Sequence, residues 1–249
     1  MGQSTELMAK QWHVTRAEQD QLAFDSHVKA AAAWRAGFYD DLVVPHLGLK
    51  TDNNVRADTT PEKLAHLRPS FATDGTLTAG NSTPLTDGAS AVLLATPEWA
   101  AKRGLPVLAY LTHGKAWAVD FATGKEGLLM APTYAVPAML RDAGLTLQDF
   151  DYYEIHEAFA AQVLCTLKAW ESADYCREVL RLPAALGSID RARLNVKGGS
   201  VALGHPFAAT GTRIVATLAK LLAGEPGAAR GLISVCTAGG MGVSAILEH

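Results

Sequence analysis

The chain has 249 residues, of which 49% are hydrophobic and 19% charged, and its 22 basic against 25 acidic residues give a net charge of −3. That length and apolar share support a buried core in one large domain or two small ones, and the weak negative charge excludes an electrostatic nucleic-acid binder. Gly (22) and Pro (11) are too ordinary for a collagen-like or disordered chain, and three cysteines without a CxxC pair exclude a disulfide scaffold and a Cys-based zinc site.

In chain order, the first residues lack the apolar core of a signal peptide, and Glu6 breaks the myristoylation pattern. A reducing, cytoplasmic location is therefore the expectation. The opening reads as a helix already under way, capped by Ser4 or Thr5, with Leu7, Met8 and Trp12 on its buried side. Such a start points to a fragment. Thr15 and Glu18 form a capping box for a helix that stops near Gly37, and Thr60-Pro61-Glu62 starts another. Segment 68–88 is loop-rich, ASAVLLA (89–95) reads as a buried strand or the end of a small-residue helix, and Pro97 to Arg103 is a short helix ended by Gly104.

From Leu105 onward, strands and helices alternate. LPVLAYLTHG is a strand, APTYAVPAMLRDAG a helix that Pro137 should kink or break, and DFDYYEIHEAFA a strand running into a turn. Ala160 to Trp170 reads as an amphipathic helix, Thr210 to Leu222 as another, GLISVC as a buried strand and VSAILEH as the last strand. The pattern predicts an α/β sheet with helices on both faces. No run approaches the roughly 18 apolar residues of a membrane span, and no internal repeat is found.

Three stretches have more unusual residues than folding requires. In Glu154-Ile-His156-Glu157-Ala158-Phe159, the imidazole sits where a strand gives way to a helix, at the sheet edge where α/β ligand sites gather. On its own, His156 closing a turn is an equally good reading, and Ala160 rules out the zinc pattern H-E-x-x-H. In NVKGGSVALGHPFAATG, glycines admit a close ligand and His205 is held between Gly and Pro on a loop, a setting that favours function. Cys236, ahead of Thr-Ala238-Gly-Gly, ends a buried strand. Inert core is its first reading, but a glycine turn could aim the thiol out of the sheet edge for proton transfer. Cys165 and Cys176 lie in apolar helical patterns and read as structural.

EIHEAFA, NVKGGSVALGHPFAATG and CTAGGMG, in this order, closely resemble the three C-terminal motifs of the thiolases. These enzymes cleave or form a carbon–carbon bond between acyl-CoA thioesters. The segments RPSFATDGTLTAGNSTPLTDGASAVLLA and TRAEQDQLAFDSHVKAAAAW resemble upstream parts of the same family, so the likeness covers almost the whole chain. His156 at the head of its motif is similar to the branch of bacterial fatty-acid-oxidation thiolases and trifunctional-enzyme β subunits.

The resemblance implies a thiolase-like fold: a mixed five-stranded sheet with helices on both faces over 105–249, the last segment of the N-terminal domain over 71–104, and the C-terminal part of the loop domain over 1–70. It implies His205 as the base that takes the nucleophile's proton, Cys236 as the proton shuttle at the α-carbon, and an oxyanion hole from His156, His205 and Ala238. A left-handed Ala238 would be strained. Phe71, Thr83, Ala158 and Phe159 are expected to line the channel for coenzyme A, although Phe159 also fits a buried helical stripe. Coenzyme A and acyl-CoA are expected as substrates, with no covalent cofactor and no metal.

The family's nucleophilic cysteine is expected upstream of this sequence, so the chain alone should be inactive, and its partners should be an N-terminal thiolase half and further copies of itself. Two alternatives stand beside this reading: a catalytically incomplete fragment that binds partners, and a hydrolase with Cys236 as nucleophile and His205 as base.

Overall fold

The structure is a computed structural model that describes residues 1–249. Helix α1 (Gly2–Gln11) begins one residue after Met1, and Thr5 donates its hydroxyl back to the Met1 carbonyl instead of capping the helix. Met8 is buried, whereas Leu7 is 69% exposed and does not share its face. The buried Glu6 carboxylate accepts the backbone N–H groups of Thr76 and Leu77 and so ties the loop at 74–77 to this helix.

Helix α2 (Arg16–Arg35) opens with the expected capping box, Thr15 and Glu18 satisfying each other's backbone donors. Its buried Ala23, Ala30 and Ala33 let later elements approach the helix backbone closely. Helices α3 (Pro61–Ala65) and α4 (Pro97–Lys102) both start with a threonine cap and Pro at the first turn, as the sequence predicts for α3 and as Thr96 adds for α4. Between them, 89–95 forms neither strand nor helix. Leu93 and Leu94 are 72% and 68% exposed, and without a neighbouring layer an apolar run has nothing to pair with or pack on.

The remaining elements are β1 (Tyr110–Ala118), α5 (Pro132–Ala143), β2 (Tyr152–Ile155), α6 (Ala160–Glu171), α7 (Ala173–Glu178), α8 (Ser200–Leu203), α9 (Thr210–Gly224), β3 (Arg230–Thr237) and β4 (Met241–Glu248). The sheet order is β1-β4-β3-β2, with β2 and β3 parallel and the other neighbours antiparallel. Helix α5 packs on the face bearing Leu232 and Ile246, and α9 on the face bearing Ile233 and Leu247, so both faces are covered. Helix α5 runs unbroken through Pro137 and ends at Gly144, whose φ is 68°.

The sheet has four strands, not the expected five. The outer edge of β2 is met instead by Leu194, which forms a single parallel bridge with Tyr153, and by Asn195. Asn195 donates its backbone N–H to the Tyr153 carbonyl, and its side chain accepts the Ile155 N–H and donates to the Ile155 carbonyl. One amide side chain thus substitutes for a strand, which leaves no buried edge unpaired.

Helix α6 departs from its amphipathic reading. It is buried on nearly every side, with Cys165 and Trp170 at the centre, because α1, α2, α5 and α7 surround it. Edge strand β1 is largely exposed, and with Leu108, Phe121, Met241 and Val243 it leaves an apolar surface. No helix is long and apolar enough to cross a membrane.

Candidate active site

Strand β2 ends at Ile155, and the next residue, His156, donates its backbone N–H to the Ser234 carbonyl of β3 at 2.9 Å. This bond carries the parallel pairing one step past the strand and places the imidazole at the sheet's carboxyl edge. The side chain is buried, and its Nδ1 lies 2.8 Å from Ser200 Oγ at the start of α8. Its Nε2 is buried without a partner. Burial above all, then the neighbouring His205 imidazole and the Arg213 charge, hold its pKa well below the ordinary imidazole range, so the ring is neutral.

His205 follows Gly204, whose φ of 90° turns the chain sharply and brings Thr86 within reach. A Cβ on Gly204 would sit 2.8 Å from the Thr86 methyl carbon, so glycine is required twice over, by conformation and by space. The His205 backbone N–H donates to Thr86 Oγ1, and its Nδ1 lies 2.7 Å from Thr210 Oγ1. Because the Thr210 hydroxyl donates to the Pro206 carbonyl, it accepts from His205 Nδ1–H, which leaves Nε2 as the bare, basic nitrogen. Burial and the nearby Arg213 charge lower this pKa as well. The two imidazoles are in contact, with ring centroids 4.2 Å apart.

Glu157, the residue after His156, is held by three donors. Its carboxylate accepts from Ser26, from Asn195 at 2.6 Å and from the Val201 backbone N–H. It is a brace between α2, the 195 loop and α8, and all its bonds are made within the protein.

Cys236 stands on β3 two residues beyond Ser234, at the same edge. It makes no hydrogen bond to either histidine. Its thiol is 5% exposed and packs in the main core cluster with Ile155, Ala158 and Phe159. The thiol therefore does not project from the sheet edge, and burial pushes its pKa up to about 12. In the turn that follows, positive φ falls on Gly239 and Gly240, so Ala238 escapes the left-handed strain its sequence suggested. Ala238 is exposed, and its N–H has no partner.

The four channel candidates are joined. Thr83 donates both its backbone N–H and its hydroxyl to the Ala158 carbonyl at 3.1 Å, Ser82 bridges Phe159, and Phe71 meets Phe159 edge-on at 5.7 Å. From Thr83 the segment continues to Thr86 and so to His205. The other two cysteines are structural: Cys165 is buried in α6, and Cys176 bonds the Ala169 and Trp170 carbonyls and the Leu186 N–H.

Sequence reasoning passed over Ser200, Thr210, Thr86 and Arg213, which surround the histidines. Arg213 had a signal: it is the one cation in the otherwise apolar and small-residue stretch from Thr210 to Ala219.

Known proteins resemble this chain in sequence and in fold. The family model described as "Thiolase, N-terminal domain" matches residues 1–98, and "Thiolase, C-terminal domain" matches residues 106–249. The chain is 46% identical over its full length to a 3-ketoacyl-CoA thiolase of Erwinia tasmaniensis, of which it covers 57%. It is 42% identical to that of Shewanella baltica, of which it covers 58%. Among solved structures, the Bacillus anthracis acetyl-CoA acetyltransferase superimposes with a TM-score of 0.84 at 36% identity, over 100% of this chain and 59% of that one. Human mitochondrial 3-ketoacyl-CoA thiolase in complex with CoA gives the same TM-score at 33% identity, over 100% of this chain and 58% of that one. The chain thus spans just under three-fifths of its relatives, and it belongs to the thiolase family.

Proposed function

We propose that this chain supplies the acid–base and oxyanion groups of a 3-ketoacyl-CoA thiolase of fatty-acid β-oxidation. That enzyme cleaves 3-ketoacyl-CoA to acetyl-CoA and a shortened acyl-CoA, or runs the reverse condensation. The observation that carries this reading is the contact of two neutral histidines at the carboxyl edge of β2, beside the strand that bears Cys236 near its end. Three free thiols suit a reducing cytoplasm.

The acylating cysteine lies outside these residues, since Cys165 and Cys176 are sealed in the core. That thiol loses its proton to His205 Nε2 and attacks the 3-keto carbon. The bond between the α-carbon and the keto carbon then breaks, leaving an acyl thioester on the protein and an acetyl-CoA enolate. His156, with His205 and the free Ala238 N–H, stabilises the oxyanions. Cys236, protonated when buried, gives its proton to the enolate carbon. The Cys236 thiolate then takes the proton of incoming coenzyme A, whose sulfur attacks the acyl carbon and displaces the acylating cysteine, which regains its proton from His205. Phe71, Thr83, Ala158 and Phe159 wall the pantetheine channel. Residues 1–70 belong to the loop domain, 71–104 to the N-terminal domain and 105–249 to the C-terminal domain. An N-terminal thiolase half covers the apolar surface around β1, and the assembled enzyme is a homo-oligomer.

One experiment tests this. The chain is expressed alone and together with the N-terminal half of the Erwinia tasmaniensis relative, and thiolysis of acetoacetyl-CoA is followed. Turnover at an ordinary enzymatic rate, roughly 1–10³ s⁻¹, is expected only from the pair. A pair that forms but stays inert supports the alternative of a partner-binding fragment. Turnover by the chain alone that is lost in Cys236→Ala would make Cys236 the nucleophile.

A further inference from the structure

The Ser200 hydroxyl is fully buried and touches two polar side chains, Arg213 Nη2 and His156 Nδ1, each at 2.8 Å. A guanidinium has no lone pair to offer, so Arg213 must donate to Ser200 Oγ. Ser200 has a single proton, and its hydroxyl makes no hydrogen bond to a carbonyl or to any other side chain. Its only acceptor is His156 Nδ1.

The chain of donors therefore has one direction, from Arg213 to Ser200 to His156. We propose that Arg213 and Ser200 are positioning residues that fix the proton of neutral His156 on Nε2, the buried atom that has no partner in the protein and lies on the ring packed against His205. With the opposite tautomer, the Ser200 oxygen would accept from both Arg213 and Nδ1–H, and the Ser200 proton would have no acceptor. The opposite tautomer would leave two buried groups unmatched within the chain, the Ser200 proton and a bare Nε2, whereas the proposed one leaves only the Nε2–H.

The result is a pair of touching imidazoles sorted into opposite forms. Thr210 keeps the His205 proton on Nδ1 and leaves Nε2 basic, while Arg213 and Ser200 keep the His156 proton on Nε2 and make that nitrogen a donor. That the acceptor is a thioester-derived oxyanion rests on the thiolase reading above. The tautomer rests only on the geometry within this chain.

The test is a long-range ¹H–¹⁵N correlation of the histidine rings in the uniformly ¹⁵N-labelled chain at neutral pH, with His156 assigned by its loss in His156→Gln. The expected spectrum shows a bare Nδ1 and a protonated Nε2. Ser200→Ala and Arg213→Met should each lower the ratio of Nε2–H to Nδ1–H about fivefold, the worth of one neutral hydrogen bond. Arg213→Lys, which keeps a donor, should restore most of it. A protonated Nδ1 in the parent protein overturns the proposal, and so does an unchanged ratio in folded Ser200→Ala. Should Arg213→Met fail to fold, the parent and Ser200→Ala spectra decide alone. The expected tautomer in a protein whose assembled pair fails to thiolyse acetoacetyl-CoA would retain this inference and reject the substrate reading.

Discussion

Asn195 donates its side-chain N–H groups to both the Ile155 carbonyl and the Glu157 carboxylate, at 2.9 and 2.6 Å, and it does so from a left-handed backbone with φ of 45°. One residue thus closes the edge of β2 and holds the buried carboxylate beside His156. Asn also tolerates the left-handed region better than most residues. Asn195→Ala should destabilise the fold by about 3 kcal/mol, since several buried groups lose partners together. Urea unfolding midpoints measure the change, and a loss below about 1 kcal/mol would refute this account of the edge.

Gly199 faces the same carboxylate. A Cβ there would come within 2.1 Å of Glu157 Cδ, and Glu157 cannot swing away because three donors fix it. Gly199→Ala is expected to cost about 1–3 kcal/mol, the usual range for overpacking. It should also disturb the ring resonances of His156, whose Ser200 partner is the next residue. Wild-type stability would show that the carboxylate can relocate.

Cys236→Ser should reduce thiolysis by the assembled pair about 10²–10⁴-fold, the span of general acid–base catalysis, because a serine hydroxyl is far too weak an acid to shuttle a proton here. Exchange of the acetyl-CoA methyl protons with deuterated water should fall in parallel. Acylation of the upstream cysteine should persist and be visible by mass spectrometry. A variant that exchanges protons normally would remove Cys236 from its role.

Glu154 is buried in β2, and burial raises its pKa from 4.5 to about 8. The unfolded carboxyl releases its proton near 4.5 and the folded one only near 8, so the folded state binds more protons between these values. Stability from this group is therefore complete below about 4.5 and declines as pH rises towards 8. Glu154→Gln should flatten that decline, as read from melting temperatures at pH 6 and pH 8. Equal slopes in parent and variant would contradict a protonated Glu154.

His27 behaves in the opposite sense. Burial, then the Arg56 charge, lower its pKa from 6.5 to about 4, while its Nδ1 accepts the Arg56 backbone N–H. Here the unfolded state binds more protons between 6.5 and 4, so stability from this group is present above 6.5 and is lost as pH falls. His27→Gln should lessen the fall in melting temperature between pH 6.5 and pH 4.5. An unaltered acid limb would mean that His27 is protonated in the fold.

The local elements were legible in the sequence because their signals are local. A threonine cap, a Pro in the first turn and the apolar runs of β3 and β4 each act within a few residues and mark α3, α4, β3 and β4, whereas β1 forms over Tyr110–Ala118, later than the run 105–114 whose sequence reads as a strand. The motifs likewise marked His156, His205 and Cys236 as candidates. What they could not mark was direction and surroundings, because these depend on which distant segments meet. Asn195 replaced a fifth strand, α6 lost its polar face by being surrounded, and the run 89–95 found no neighbour to pair with. The Cys236 thiol turned inward with the core cluster. The proton positions on the two histidines were set by Ser200, Arg213 and Thr210, whose one-way hydrogen bonds exist only once α8 and α9 pack beside β2.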